Sequence, residues 1–128
     1  MVYQFQIRFP LDSHPYARDP RSQPLTRQTS DGTYVYLRNT SGLLWVLPDG
    51  IHLHPKLLGS GLPATYAGDL TIVNGVVVEI TNCSGTFQFD DRQGLVEVAH
   101  EVVSLGIPMA ASAIRFFPPD GGPIEILG

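Results

Sequence analysis

The sequence predicts an α+β domain in which a curled, mainly antiparallel sheet of about eight short strands packs against one amphipathic helix, with a partly open barrel as the alternative. Two observations predict this class. Short apolar or alternating segments recur along the chain between turn-forming residues, and one later stretch repeats its apolar residues at helical spacing. The length of 128 residues suits a single domain, 1–128, with one hydrophobic core.

The first half of the chain alternates strand-like segments with turn residues. Residues 2–9 place apolar side chains at every second position, which is the pattern of a half-buried strand. Residues 10–32 and 56–68 show no period, and irregular segments of such length are uncommon in compact domains and are often functional. The strands predicted in this half are 2–9, 33–38, 43–47 and 51–54.

The second half contains the two clearest local signals. Asn74-Gly75 lies between the apolar segments 69–73 and 76–80 and predicts a type I′ hairpin turn, because both residues tolerate positive φ. A helix is predicted from Asp90-Asp91, whose carboxylates suit a helix start, to Gly106. Its buried stripe would consist of Leu95, Val98, Ala99, Val102 and Leu105. Further short strands are predicted at 86–89, 110–117 and 124–127.

Charge and composition exclude several classes of function. The net charge of −4, with one lysine and scattered arginines, argues against a nucleic acid as partner, because such binding depends on clustered positive charge. Cys83 is the single cysteine, so no intrachain disulfide forms and a reducing, cytoplasmic location is expected. No apolar run approaches the roughly 20 residues of a membrane helix and no signal segment opens the chain, so no membrane contact is expected.

Three local features are candidates for chemical sites. His52 and His54 would point to one face of a predicted strand, as in some metal sites, but no spacing identifies a third ligand and no metal is predicted. Gly59-Ser60-Gly61 lacks the Lys and Thr of a P-loop, so a flexible loop and no resident cofactor are predicted. Cys83 would need a helix N-terminus or a paired histidine to become a nucleophile, and the sequence places neither.

The segment from His54 to Phe87, about a quarter of the chain, carries a series of residues in a recognisable order. The series is His54, Gly59 and Gly61, Ala67-Gly68-Asp69, Asn74-Gly75 and Ser84-Gly85. In this series the chain resembles a domain of bacterial effector and polymorphic-toxin-like proteins that also occurs in plant proteins carrying a calmodulin-binding motif. It departs from that pattern at Pro55-Lys56, where the family has serines, and at Thr86-Phe87, where it has His-Tyr. If those polar groups do chemistry in the family, this chain has lost much of it.

The leading functional hypothesis is a protein-interaction domain without catalytic activity, of the effector-accessory or immunity type. It follows from the lack of a strong catalytic motif and from the long Pro-rich segment 10–32, which would bind another protein. Tyr16, Arg18 and Arg21 are the expected anchors, because Tyr and Arg are enriched at the centres of interfaces. The oligomeric state is not predicted.

The competing hypothesis is a small effector-class enzyme that transfers a group from a nucleotide cofactor. His54, Asp69 and Ser84 would be the catalytic residues, and Gly59-Ser60-Gly61 would hold the cofactor. Catalysis requires such side chains to meet in one concave pocket with suitable mutual geometry. Whether they converge is therefore the observation that separates the two hypotheses.

Overall fold

The structure is a computed structural model that describes residues 3–11, 16–50 and 54–127. The strands in these ranges are β1 Gln23–Pro24, β2 Gly32–Arg38, β3 Leu44–Pro48, β4 Tyr66–Val73, β5 Val76–Thr81, β6 Ile114–Phe116 and β7 Glu125–Ile126, and the helices are α1 His54–Leu58 and α2 Arg92–Ser104. They form one open sheet in the order β1-β3-β2-β4-β5-β6-β7, antiparallel throughout except for β5 and β6. The predicted α+β class with a mainly antiparallel sheet is confirmed, and the sheet does not close into a barrel.

The hairpin between β4 and β5 turns at Asn74-Gly75, as predicted. Asn74 and Gly75 have φ of 52° and 74°, the left-handed values that a type I′ turn requires. The carboxylate of Asp31 accepts the backbone N–H groups of Asn74 at 2.7 Å and of Gly75 at 3.0 Å. The turn is therefore held both by its own backbone preference and by the residue that precedes β2.

Replacing Gly75 with valine is expected to lower the free energy of unfolding by about 1 kcal/mol or more, because a β-branched residue is strained at positive φ. A Cβ built at Gly75 meets no atom within 4 Å, so backbone strain is the cause of the loss. Urea unfolding measures the effect. Gly75→Asn is the matched control and should cost less, since asparagine tolerates the left-handed region; equal losses for the two variants would contradict this account.

Helix α2 begins and ends where the sequence predicts. Asp91 is its N-cap, and the Oδ2 atom of Asp91 accepts the backbone N–H of Gly94 at 3.0 Å. Four of the five predicted stripe residues are buried: Leu95, Val98, Ala99 and Val102. Leu105 is 41% exposed, so the buried stripe ends before the last predicted position. Arg38 of β2 donates to the carboxylate of Glu101 at 2.8 Å, which ties the helix to the sheet.

The two helices lie on opposite faces of the sheet. Helix α2 packs on β4 and β6, and its Gly94 lies against the ring of Tyr66. Helix α1 packs on β2 and β3, and its first residue, His54, lines a cleft together with Asp69. Tyr66 and Asp69 are three residues apart on β4, and side chains alternate along a strand, so they point to opposite faces. The cleft therefore lies on the α1 face of the sheet.

The prediction of a strand at 2–9 is wrong for its described part. Residues 3–9 contain one isolated bridge, in which Arg8 and Ala64 exchange backbone hydrogen bonds at 2.9 Å. The side chain of Arg8 reaches the carbonyl oxygens of Phe87 and Gln88, so this segment lies across the 87–90 loop. Alternation is present, but no neighbouring strand continues the pairing, and Ile7 is left 61% exposed.

The predicted strand at 86–89 is a turn followed by irregular chain. Phe87 and Phe89 are each 2% exposed, and the ring of Phe89 stacks on Tyr66 with centroids 5.0 Å apart. Gln88 between them has φ of 50°, which interrupts an extended strand. The two aromatic residues therefore anchor a loop in the core, and their alternation resembled a strand for that reason.

The predicted strand at 51–54 falls mostly outside the described residues. His54, which is described, begins helix α1, because Pro55 has a φ fixed near helical values and suits a first helical turn. The segment 10–32 is not wholly irregular, since β1 pairs with β3 and Leu25 is only 3% exposed. In the same way, 56–68 contains the end of α1 and the start of β4. The strand predicted at 110–117 is limited to β6 in its second half, and the one predicted at 124–127 is limited to the two residues of β7.

Among the described residues, neither helix has the length and apolar character needed to cross a membrane.

Candidate functional site

A cleft of about 640 Å³ opens on the α1 face of the sheet. Its walls come from the N-terminal segment, the strands β2 and β4, the loop after β3, the start of α1 and the loop after β5. The lining residues are Leu11, Val35, Asp49, Gly50, His54, Pro55, Asp69, Cys83, Ser84, Gly85 and Thr86. The three residues that the enzyme hypothesis named, His54, Asp69 and Ser84, thus lie on one concave surface.

Asp69 lines this cleft from β4, where it lies opposite Val35 of β2. Its side chain is half-buried, and no group in the described part of the chain donates a hydrogen bond to its carboxylate. Burial, followed by the negative charges of Asp49 and Glu79, raises the pKa of Asp69 to about 6. The carboxyl group can therefore both lose and gain a proton near neutral pH, which is what general acid–base catalysis requires.

His54 is held near Asp69 by a hydrogen bond to Gly68, the residue that precedes Asp69 on β4. The Nε2 atom of His54 lies 2.8 Å from the carbonyl oxygen of Gly68. A carbonyl oxygen only accepts, so the ring proton is on Nε2 and Nδ1 remains an acceptor. Burial lowers the pKa of His54, outweighing the opposite effect of the Gly68 hydrogen bond, which keeps the imidazole neutral at neutral pH.

Thr81, the last residue of β5, connects two walls of the cleft. Its Oγ1 accepts the backbone N–H of Asp69 at 3.2 Å and that of Cys83 at 3.1 Å. Its carbonyl oxygen accepts the hydroxyl of Tyr36 at 2.6 Å across the sheet. These bonds hold β4 and the 83–86 loop in a fixed relation. Sequence analysis did not identify Thr81 as a site residue, and its position at a strand end gave no signal.

The two potential nucleophiles of the cleft are not activated. Burial raises the pKa of the Cys83 thiol, so the thiol is protonated at neutral pH. The Oγ atom of Ser84 accepts the N–H of Phe87 at 3.3 Å, and within the described residues no hydrogen bond joins Ser84 to His54. A nucleophilic serine needs an adjacent base. The arrangement thus favours proton transfer by Asp69 over covalent catalysis by Ser84 or Cys83.

The electrostatic character of the cleft is acidic. Two carboxylates, Asp49 and Asp69, line it, and its described lining contains no lysine or arginine. Asp49 lines the same cleft, although no sequence pattern selects it as a site residue. No group of three or more His, Cys, Asp or Glu residues in the described ranges is placed to hold a metal ion, and His52 lies outside those ranges.

Gly59-Ser60-Gly61, which the enzyme hypothesis gave to a cofactor, lies away from the lining of this cleft. All three residues have positive φ, of 74°, 54° and 66°, and they follow the end of α1. A Cβ at Gly59 would lie 2.4 Å from the backbone nitrogen of Arg18, and the N–H of Ser60 donates to the carbonyl of Tyr16 at 2.8 Å. The loop therefore holds the 16–18 segment against the fold.

The three residues expected to anchor a protein partner contact their own chain. The guanidinium of Arg18 lies 5.2 Å from the centre of the Trp45 ring, and the ammonium of Lys56 lies 5.4 Å from that of Tyr16. Arg21 donates to both carboxylate oxygens of Asp19, at 3.1 and 2.9 Å, and these hydrogen bonds lower the pKa of Asp19 to about 2. Nothing here brings Tyr16, Arg18 and Arg21 into the cleft.

Comparisons with known proteins find no match for this chain among protein-family models, curated proteins or solved structures. The resemblance of the 54–87 segment to a domain of effector and toxin-like proteins therefore stays a prediction.

Proposed function

We propose that this domain is a small enzyme that performs acid–base chemistry, with Asp69 as the group that transfers the proton. The observation that supports it best is the half-buried Asp69 carboxylate, which has no donor among the described residues and faces a cleft with His54 and Ser84. Leaving a polar group without a partner costs stability, and such arrangements concentrate at functional sites.

Three polar side chains of the cleft have a role in this proposal. Asp69 removes or supplies the proton, because its pKa lies close to the working pH. His54 accepts a hydrogen bond from the ligand at Nδ1, since its Nε2 is occupied by Gly68. Ser84 can donate its hydroxyl proton, because its oxygen already accepts from Phe87. The apolar Val35 gives the ligand a surface to pack on.

The enzyme hypothesis is retained here in modified form. A nucleotide carries phosphate groups, and the described lining supplies no cationic side chain to bind them. The protein-interaction hypothesis remains a proposal of second rank, because Arg18 and Arg21 are engaged within the chain. A cytoplasmic location and a role in an effector system also remain proposals, which rest on the single cysteine and on the resemblance.

The proposal is tested with 5-nitrobenzisoxazole, a neutral probe of carboxylate bases that needs no knowledge of the natural substrate. The base removes the proton on the ring carbon, the N–O bond breaks with its electrons going to oxygen, and the coloured cyanonitrophenolate forms. We expect the rate to rise with pH through about 6, the pKa of Asp69, and then to level off. Asp69→Asn should reduce it at least about tenfold, since a positioned base contributes 10²–10⁴.

Glu97→Gln is the matched control, because Glu97 is a carboxylate on α2 whose partner is Gln93 and which does not line the cleft. This variant should keep the parent rate and pH profile. If Asp69→Asn retained the parent rate, or if the profile showed no inflection near pH 6, Asp69 would not be the base and the proposal would be wrong.

A further inference from the structure

We propose that the substrate of this cleft is a cation, an alkylammonium group that binds between Asp49 and Asp69 with its carbon stem against the apolar wall. This inference rests on the proposed function, because it names the substrate class of the same site. It excludes the anionic nucleotide cofactor that the competing enzyme hypothesis named.

The charges around the cleft favour a positive ligand. Asp49 and Asp69 both face the cleft, and Glu79 lies close enough to affect the titration of Asp69. Glu79 is paired with Arg115 at 2.7 Å, whereas Asp69 has no such partner in the described part of the chain. Asp49 accepts the N–H of Gly50 at 2.8 Å, and this neutral group is its one hydrogen-bond donor among the described residues. The cleft thus holds negative charge that no cationic side chain of its described lining balances.

The cations nearest in sequence to the cleft are directed elsewhere. Lys56 follows the lining residue Pro55, but its ammonium lies over the ring of Tyr16 and acts on Asp19. Arg8 precedes the lining residue Leu11, but its guanidinium pairs with Asp90 at 3.1 Å. Since neither side chain can supply the missing positive charge, the ligand would supply it.

A cationic ligand stabilises the ionised carboxylate of Asp69 in a way that neutral or anionic ligands do not. Desolvation makes the ionised form of Asp69 unfavourable, and an ammonium group at hydrogen-bond distance stabilises that form directly. A neutral hydroxyl compensates only in part, and an anion adds repulsion. The side chains of Leu11, Val35 and Pro55 on the same lining provide the apolar contact that a methylene chain needs.

The test compares three small molecules of equal length with different charge: cadaverine, pentanediol and glutarate. Backbone amide shifts of the 15N-labelled protein are recorded at pH 7.5 and pH 5 during titration. We expect saturable shifts at the amides of Asp69, Cys83 and Thr86 with cadaverine at pH 7.5, and weaker binding at pH 5, where protonation of Asp69 removes its charge. Asp69→Asn should weaken cadaverine binding about tenfold or more, because charge-assisted hydrogen bonds are strong.

The control is again Glu97→Gln, which changes net charge equally and should bind cadaverine as the parent does. The inference is wrong if pentanediol, glutarate or NAD shifts the same amides at lower concentration, or if cadaverine produces no saturable shift at them. In those cases an Asp69-dependent reaction of nitrobenzisoxazole would leave the proposed acid–base function standing. Loss of both results would remove the function together with the substrate class.

Discussion

Replacing Gly68 with alanine should destabilise the domain by about 3 kcal/mol or more, at the upper end of overpacking effects. A Cβ at Gly68 would lie 1.8 Å from the carbonyl oxygen of Thr81 and 3.0 Å from the Cα of Asn82. Both atoms belong to the backbone of the neighbouring chain segment, so no side-chain rotation relieves the clash. Urea unfolding monitored by circular dichroism measures the loss.

Gly85→Ala is the matched control for this substitution. Gly85 lies in the loop after β5, and a Cβ there meets no atom within 4 Å. The unfolding midpoint of this variant should therefore differ little from that of the parent. Because Gly68 also accepts from His54, Gly68→Ala should disturb the cleft whenever the protein remains folded. An unfolding midpoint equal to that of the parent would mean that β4 and the end of β5 do not approach as closely as described.

The hairpin and the long helix were predictable because their signals are local. Asn74-Gly75 specifies its turn through the φ values of two residues, and Asp91 caps α2 within one helical turn. No distant contact is needed to identify either element.

The incorrect strand predictions fall on segments whose apolar residues alternate but which have no partner strand. Residues 3–9 alternate, but their single bridge to Ala64 leaves Phe9 66% exposed. Phe87 and Phe89 alternate because both enter the core from a turn. An alternating apolar pattern alone does not distinguish a paired strand from a segment that crosses other loops. Pairing also requires a neighbouring strand with a free edge, which depends on the rest of the fold.

The residues of the candidate cleft were identified in part, but their geometry was not predictable. A bulge between Thr71 and Ile72 shifts the β4–β5 register, so that Ile72 pairs with Val77 while Thr71 pairs with Glu79. Continued along the strands, this register brings Asp69 opposite Thr81, consistent with the hydrogen bond from the Asp69 N–H to the Thr81 hydroxyl. Without the bulge, Asp69 would lie opposite an apolar residue.

The carboxylate of Asp69, the proposed base, should make the folded protein less stable. Desolvation raises the pKa of Asp69 from 3.8 to about 6, so between these values the folded state holds the proton that the unfolded state has lost. Stability therefore falls as pH rises through this window, and the full cost is present above about pH 6. Burial is the largest cause of the raised pKa, and the negative charges of Asp49 and Glu79 add to it.

Asp69→Asn is accordingly expected to be more stable than the parent at pH 7.5 and about equal to it at pH 3.5, where the carboxyl group is mostly protonated in both states. A rise in the pKa of Asp69 from 3.8 to about 6 corresponds to a loss of roughly 3 kcal/mol in the free energy of unfolding. Asp69 is only half-buried, so solvent screening reduces the expected gain to about 1–2 kcal/mol. Urea unfolding midpoints at the two pH values measure this gain, with Glu97→Gln as the control that should gain no stability.

An Asp69→Asn variant less stable than the parent at pH 7.5 would show that the Asp69 carboxylate is compensated in the fold. A variant that gains stability and loses its reaction with nitrobenzisoxazole would show the exchange of stability for function that a desolvated catalytic acid implies.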